Sequence, residues 1–230
     1  MLESNILAGA SGQGGSSYEI ERSLRFDKSA DSHLERTPST AGNRKTWSWS
    51  AWVKKTSFTR DFLFNANTIN LNSTIEFYND TIRIFDHPGG MGWNVSTVAL
   101  FRDPSAWMHV LVVHNTTQST STDRVKIYVN GVLQTLTGTY PAQNYLSQFN
   151  ATVNHRIGSL HGYDGSLSLS AYLADVHFID SQALAATDFG EFDDNNVWQP
   201  KKYSGTYGTN GFHLDFADNS TVSALGTDTS

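Results

Sequence analysis

Polar and apolar residues alternate with a period of two along much of the chain, as half-buried strands require. In Trp47-Ser-Trp-Ser-Ala-Trp-Val the alternation puts Trp47, Trp49, Ala51 and Val53 on one face. Leu24 and Phe26 precede the polar turn Asp27-Lys-Ser-Ala-Asp-Ser, and His33-Leu-Glu-Arg follows it. Phe62-Leu-Phe reads as a short strand. Ile75-Glu-Phe-Tyr and Ile82-Arg-Ile-Phe flank Asn79-Asp80, a tight hairpin turn. Asn130-Gly131 is a stronger turn, set between Val125/Ile127/Val129 and Val132/Leu133, because both residues tolerate positive φ. Trp107 to Val113 is nearly all apolar and predicts a central strand covered on both faces. Arg156-Ile-Gly and Leu167 to Ile179 continue the sheet. In the latter, Tyr172, Ala174, Val176 and Phe178 share one face, and Asp175 and His177 share the other with Leu173 and Ile179. Ala183 to Phe189 is the one candidate helical turn. Gly211-Phe-His-Leu-Asp-Phe predicts a C-terminal strand lying near Leu24-Arg-Phe. Trp198 to Tyr207, aromatic and outside the strands, reads as a strap across the sandwich, with an assembly contact as the second reading.

Short strands separated by turns, with almost no helical period, predict an all-β antiparallel sandwich. At 230 residues the chain suits a single domain, and no boundary is visible after residue 18. Residues 1–17 stand apart as a short extended tether, and residues 18–230 carry the sandwich. In the tether, Leu2, Ile6 and Leu7 form an apolar patch ahead of a Gly/Ser-rich linker. That arrangement suits an assembly arm docking to a neighbour, and equally a frayed terminus.

Charge and cysteine usage narrow the partners. A net charge of −6, with basic pairs scattered, argues against nucleic acid or an anionic membrane. The absence of cysteine excludes disulfides and thiolate metal sites, so stability rests on the core and on any oligomerisation. No apolar run approaches the ~18–20 residues of a membrane span. The opening Met-Leu-Glu-Ser-Asn lacks the basic and apolar regions of a secretory signal, which predicts a chain that is either cytosolic or exported by lysis as part of a particle. On that reading the six N-x-S/T sequons are chance products of Asn- and Thr-rich strands.

Sugar binding needs an aromatic platform beside polar groups on an exposed loop. Two loops qualify. One carries His87 and Trp93 around Pro-Gly-Gly-Met-Gly, and the other carries His161, Tyr163 and Asp164. The competing reading is that Trp93 plugs the end of the sandwich, or that both loops contact a neighbouring subunit. Histidine is fairly abundant, yet no H-x-H or H-E-x-x-H spacing occurs, which speaks against zinc. A mutual or backbone hydrogen bond suffices for Asp175 and His177, and His213 is isolated in sequence.

Three segments in order, Trp107-Met-His-Val-Leu-Val-Val, Val125-Lys-Ile-Tyr-Val-Asn-Gly-Val and Ala171 to Leu184, resemble the laminin-G-like, concanavalin A-like jelly rolls. A narrower likeness runs through Tyr18 to Phe26, Arg36 to Trp47, Phe101 to His109 and Phe189 to Phe216. These segments resemble virion appendage or tail-fibre proteins of tailed bacteriophages, over about residues 5–226. The resemblance implies a lectin-like sandwich and a non-enzymatic virion protein, either a capsid decoration or a tail appendage. Other virion proteins, of capsid or tail, would be its partners on the surface of a particle made in the host cytoplasm, and a homo-oligomer is expected. A carbohydrate-binding, host-adhesion module is the alternative. Larger relatives continue beyond the equivalent of Ser230, so a small subunit is expected here. Glycosidases of this fold carry E-x-D-x-x-E, and retaining hydrolysis needs two carboxyls about 5 Å apart. Glu191-Phe-Asp193 matches two positions, but Asn196 replaces the last acid and the segment reads as a loop with no strand pattern, so no enzyme is expected. The resemblance also makes Ca²⁺ a candidate at the sandwich rim, through Asp103 or Asp164, each of which a simple turn also explains.

Overall fold

The computed structural model describes residues 18–68, 71–88, 92–160 and 167–230. Its strands are β1 (Leu24–Phe26), β2 (Leu34–Arg36), β3 (Thr46–Lys55), β4 (Asp61–Thr68), β5 (Leu71–Tyr78), β6 (Thr81–Pro88), β7 (Trp93–Thr97) and β8 (Met108–Asn115). They continue with β9 (Val125–Val129), β10 (Val132–Leu133), β11 (Leu136–Thr139), β12 (Asn154–Ile157), β13 (Ala171–Asp180), β14 (Gly190–Phe192), β15 (Trp198–Pro200) and β16 (Phe212–Leu214).

Two large antiparallel sheets face each other. The first runs β1-β13-β3-β8-β9-β10, with β16 also paired to β13, and the second runs β11-β7-β6-β5-β4-β12-β2. Strands β1 and β16 follow one another along β13, so the two ends of the domain meet as expected. Both hairpin turns form with positive φ, at Asn79 (49°) and Asp80 (63°), and at Asn130 (48°) and Gly131 (76°). These mirror-image turns match the right-handed twist of the flanking strands. Among the described residues no helix is long and apolar enough to cross a membrane.

Trp47, Trp49, Ala51 and Val53 all point into the space between the sheets and are fully buried. Trp47 stacks on His114 at 4.8 Å, and Phe64 stacks on Phe149 at 4.7 Å. A second apolar layer lies on the other side of the first sheet. There Phe189, Trp198 and Tyr203 cover Leu111, Val113 and Ile179. This is the strap foreseen at Trp198 to Tyr207, and it explains why β8 is apolar on both faces.

Two expectations need correction. The face assignment along β13 is wrong beyond Ala174. Ala171 and Leu173 enter the core first, then Val176 and Phe178. Asp175 is an extra residue at a bulge, with φ 49°, and the insertion switches which parity faces inward. The segment around Glu191, expected to be an unpatterned loop, forms a hairpin of β14 with β15.

Candidate functional site

The outward face of the second sheet is largely polar, with Phe85 and Tyr78 as aromatic exceptions, because most positions there alternate inward apolar with outward polar side chains. One row crosses the whole sheet, strand by strand: Glu35, Arg156, Asn65, Thr74, Phe85, Asn94 and Thr139. A parallel row on β12, β4, β5 and β6 reads Asn154, Asn67, Asn72 and His87. Asn65 donates through Nδ2 to Ser73 O (3.1 Å) and Thr74 Oγ1 (2.8 Å). Arg156 Nε donates to Glu35 Oε2 at 2.9 Å. The side-chain oxygens of Asn65, Asn72 and Asn154 are buried with no hydrogen-bond partner among the described residues. A buried amide oxygen left without a donor costs about 1–3 kcal/mol.

Beside the asparagines, Glu76 is fully buried on the same face. Arg60 Nε and Arg83 Nε each donate to it at 2.7 Å. The guanidinium of Arg83 lies 3.7 Å over Tyr78 and 4.8 Å over Phe85. The aromatic rings here are therefore capped by cations, and the polar groups of this face are amides and charged side chains.

The residues singled out from the sequence are dispersed. His87 lies on this face, half-buried at the end of the asparagine row. Trp93, expected on an exposed loop, begins β7 and is 3% exposed. Its ring stacks 5.9 Å from His114 and meets Tyr145 edge-on at 6.2 Å, so it closes the interior and offers no open platform. The alternation of Trp93, Val95 and Thr97 carried that signal. His161, Tyr163 and Asp164 lie outside the described residues, as do Leu2, Ile6 and Leu7. Asp103 is exposed, and its Oδ1 accepts from Ser105 N at 2.8 Å and Ser105 Oγ at 2.6 Å. Those bonds, the hydroxyl's first, hold its carboxyl below the usual range. Asp193 Oδ1 accepts from the backbone of Asn195 (2.9 Å) and Val197 (2.8 Å), which fixes the β14–β15 turn.

Sequence reasoning missed a second constellation. The bulge turns Asp175 outward, where Tyr18 donates to its Oδ1 at 2.8 Å. His213 Nε2, from β16, lies 2.8 Å from the same oxygen, and His177 Nε2 lies 3.2 Å from it. Burial pushes the Asp175 carboxyl up, but the contacts from His177, His213 and Tyr18 outweigh it and hold the carboxyl well below its ordinary range. Burial lowers His177 and raises the Tyr18 hydroxyl. A groove of about 290 Å³ opens onto this cluster, with Glu19, Glu21 and Asp215 in its walls. No linear motif marks the cluster, because three separated segments supply it.

A sequence profile described as the concanavalin A-like lectin/glucanases superfamily matches residues 28–188. No curated protein sequence matches the chain. Among solved structures, mouse laminin α1 chain domains LG4-5 superpose with a TM-score of 0.52 at 12% identity, covering 88% of this chain and 48% of that one. A putative carbohydrate binding protein from Bacteroides ovatus gives 0.52 at 14% identity, over 71% of this chain and 44% of that one. The binding domain of botulinum neurotoxin serotype D/C gives 0.52 at 11% identity, over 77% and 44%. The chain thus spans less than half the length of each of these three. At such identities the likeness is one of fold.

Proposed function

The chain belongs to the concanavalin A-like lectin/glucanases superfamily, and from that premise we propose that it is a non-enzymatic glycan-binding module. The outward face of the second sheet is its binding surface. One observation carries this reading: Asn65, Asn72 and Asn154 hold buried side-chain oxygens that lack donors among the described residues. Sugar hydroxyls are donors of the kind that would satisfy them once the surrounding side chains shift to admit a ligand, with Arg156 near Asn154 on β12 and His87 ending the asparagine row. The B. ovatus protein of similar fold is described as carbohydrate binding, in keeping with this reading. The absence of catalysis is proposed on Asn196, which stands where a glucanase triad has its final acid, and on Asp193, which is committed to its turn.

The finer setting rests on the sequence resemblance to phage appendage proteins. In this proposal the module sits on a virion surface, as a decoration or tail subunit, held through the arm of residues 1–17 with Leu2, Ile6 and Leu7 as its apolar contact.

A glycan-array screen of the purified chain, followed by calorimetry on the best hit, tests the binding reading. Asn72→Ala and Asn154→Ala should each weaken binding at least tenfold with little change in melting temperature. Undiminished binding in both variants would remove the face from consideration. Immunogold labelling of particles tests the setting separately, since a particle bare of gold leaves glycan binding untouched.

A further inference from the structure

We propose that Asp175, His177 and His213, with the Tyr18 hydroxyl as a fourth ligand, form a binding site for a zinc-class divalent cation. The donor atoms already converge. The Asp175, His177 and His213 donors lie within 4.8 Å of one another. Contacts of 2.8 Å from His213, 3.2 Å from His177 and 2.8 Å from Tyr18 all meet at Asp175 Oδ1. Donors around a tetrahedral zinc, with bonds of 2.0–2.2 Å, sit about 3.3 Å apart. The spacing suits an ion once the two imidazole rings rotate toward a common centre.

The surroundings are those of a ligand set rather than of a core hydrogen bond. Each imidazole turns Nε2 to the centre and has a hydroxyl at its other nitrogen. His177 Nδ1 lies 3.1 Å from the Tyr207 hydroxyl, and His213 Nδ1 lies 2.9 Å from Thr229 Oγ1. Such outer partners orient the rings of metal-bound histidines. His177 is 2% exposed, yet its Nε2 meets Asp175 off the line a hydrogen bond requires and has no other partner among the described residues. A metal ion is the acceptor of that lone pair which the geometry lacks. Asp175 is held at φ 49° by the bulge, a conformation that costs energy for a residue with a side chain and that aims its carboxylate at the two rings.

The chemistry selects the ion. Two imidazoles, a carboxylate and a phenol oxygen suit zinc and its transition-metal neighbours, whereas calcium takes six to eight oxygens. The groove walls set Glu19, Glu21 and Asp215 against Arg22 and Lys202, a net acidic lining that favours a cation's approach. The two rings now stack at 4.3 Å with an interplanar angle of 3°, and binding must fan them apart to aim both lone pairs at one centre. An ion there would tie Tyr18, at the start of the described chain, to β13 and to β16 near its end, and so clamp both termini of the domain.

The full chain, stripped with EDTA, is titrated with Zn²⁺ by calorimetry, and bound metal is counted by elemental analysis. The expected result is one zinc per chain, a higher melting temperature with zinc, and at least about tenfold weaker binding in His177→Gln and His213→Gln. Melting of both variants in EDTA checks that they fold. Thr229→Val leaves every ligand in place and should weaken zinc by about tenfold through loss of the outer hydroxyl, which covers the case of a ligand variant that fails to fold. Cobalt(II) should give visible absorption of a tetrahedral site in the parent chain and none in His213→Gln. Failure to bind one equivalent, or equal binding by parent and variants, overturns the site and assigns any zinc to the surface histidines.

Discussion

Asn150 and Asp180 join across the end of the sandwich, with Asn150 Nδ2 donating to Asp180 Oδ1 at 2.5 Å. The same carboxylate accepts from Asn43 N at 2.9 Å and from Asn210 N at 3.3 Å. Asn210 Nδ2 donates back to Asn150 Oδ1 at 2.8 Å, closing the knot. Three loops distant in sequence are thereby pinned to the end of β13.

Asp180→Ala should therefore destabilise the fold by about 3 kcal/mol, since it strands several buried donors at once. Gly42→Ala should also destabilise it, because a Cβ there would lie 2.3 Å from Asp180 Oδ2. Urea unfolding checks both. A midpoint unchanged in Asp180→Ala would show that the knot adds nothing.

Glu76 presents a second buried charge, flanked by Arg60 and Arg83. Removing the acid alone, as in Glu76→Gln, should cost about 3–5 kcal/mol by leaving two guanidinium groups against aromatic rings without a counter-ion. Replacing Glu76 and Arg83 together by leucine should recover most of that loss, because two desolvation costs vanish with the pair. A double-mutant cycle in urea reads the difference. Strictly additive losses would argue against coupling.

Acid sensitivity should trace in part to His155. Its Nδ1 donates to Val153 O at 2.8 Å while its Nε2 accepts from Asn150 N at 2.9 Å, which fixes the neutral ring. Burial lowers its pKa to about 4, and it lowers those of His109 and His114 to about 3. The unfolded value is about 6.5, so these groups contribute full stability above that pH. Between about 6.5 and the folded values the unfolded chain takes up the protons, and each histidine removes about 1.4 kcal/mol per pH unit. Asp61 and Asp86, raised by burial, act in the opposite direction. Stability measured from pH 7 to pH 4 should fall less steeply in His155→Gln than in the parent. An identical slope would rule out a titrating role for His155.

Trp93→Ala should behave as a core truncation. Its ring is buried against His114 and Tyr145, so a loss of about 3–5 kcal/mol is expected. Any loss of glycan binding should then follow the melting curve and disappear at temperatures where the variant remains folded. Selective loss of binding at full stability would restore Trp93 as a contact residue.

Much of this architecture was legible because strand alternation is a local signal. Trp47 to Val53 showed its buried face directly, and Asn130-Gly131 announced its turn by chemistry that only a few residues allow. Trp93-Asn-Val-Ser-Thr carried the same alternation, yet the glycines before it drew the eye to a loop. Glu191 to Asn196 gave no such pattern, since its hairpin is held by the strap's packing through Trp198 and Phe189.

The sequence by itself determined an antiparallel sandwich, its main core faces, its tight turns and a strap of aromatic residues. These depend on neighbours two to four positions apart, and short-range pattern records them. Only the tertiary structure decided which polar groups meet. The bulge at Asp175 shifts the face of β13 without a mark in the residue pattern, and it brings Asp175 to His213, 38 residues on, and to Tyr18, 157 residues back. The asparagine row likewise exists only through the register of four paired strands, and register is set by long-range pairing that no local alternation encodes.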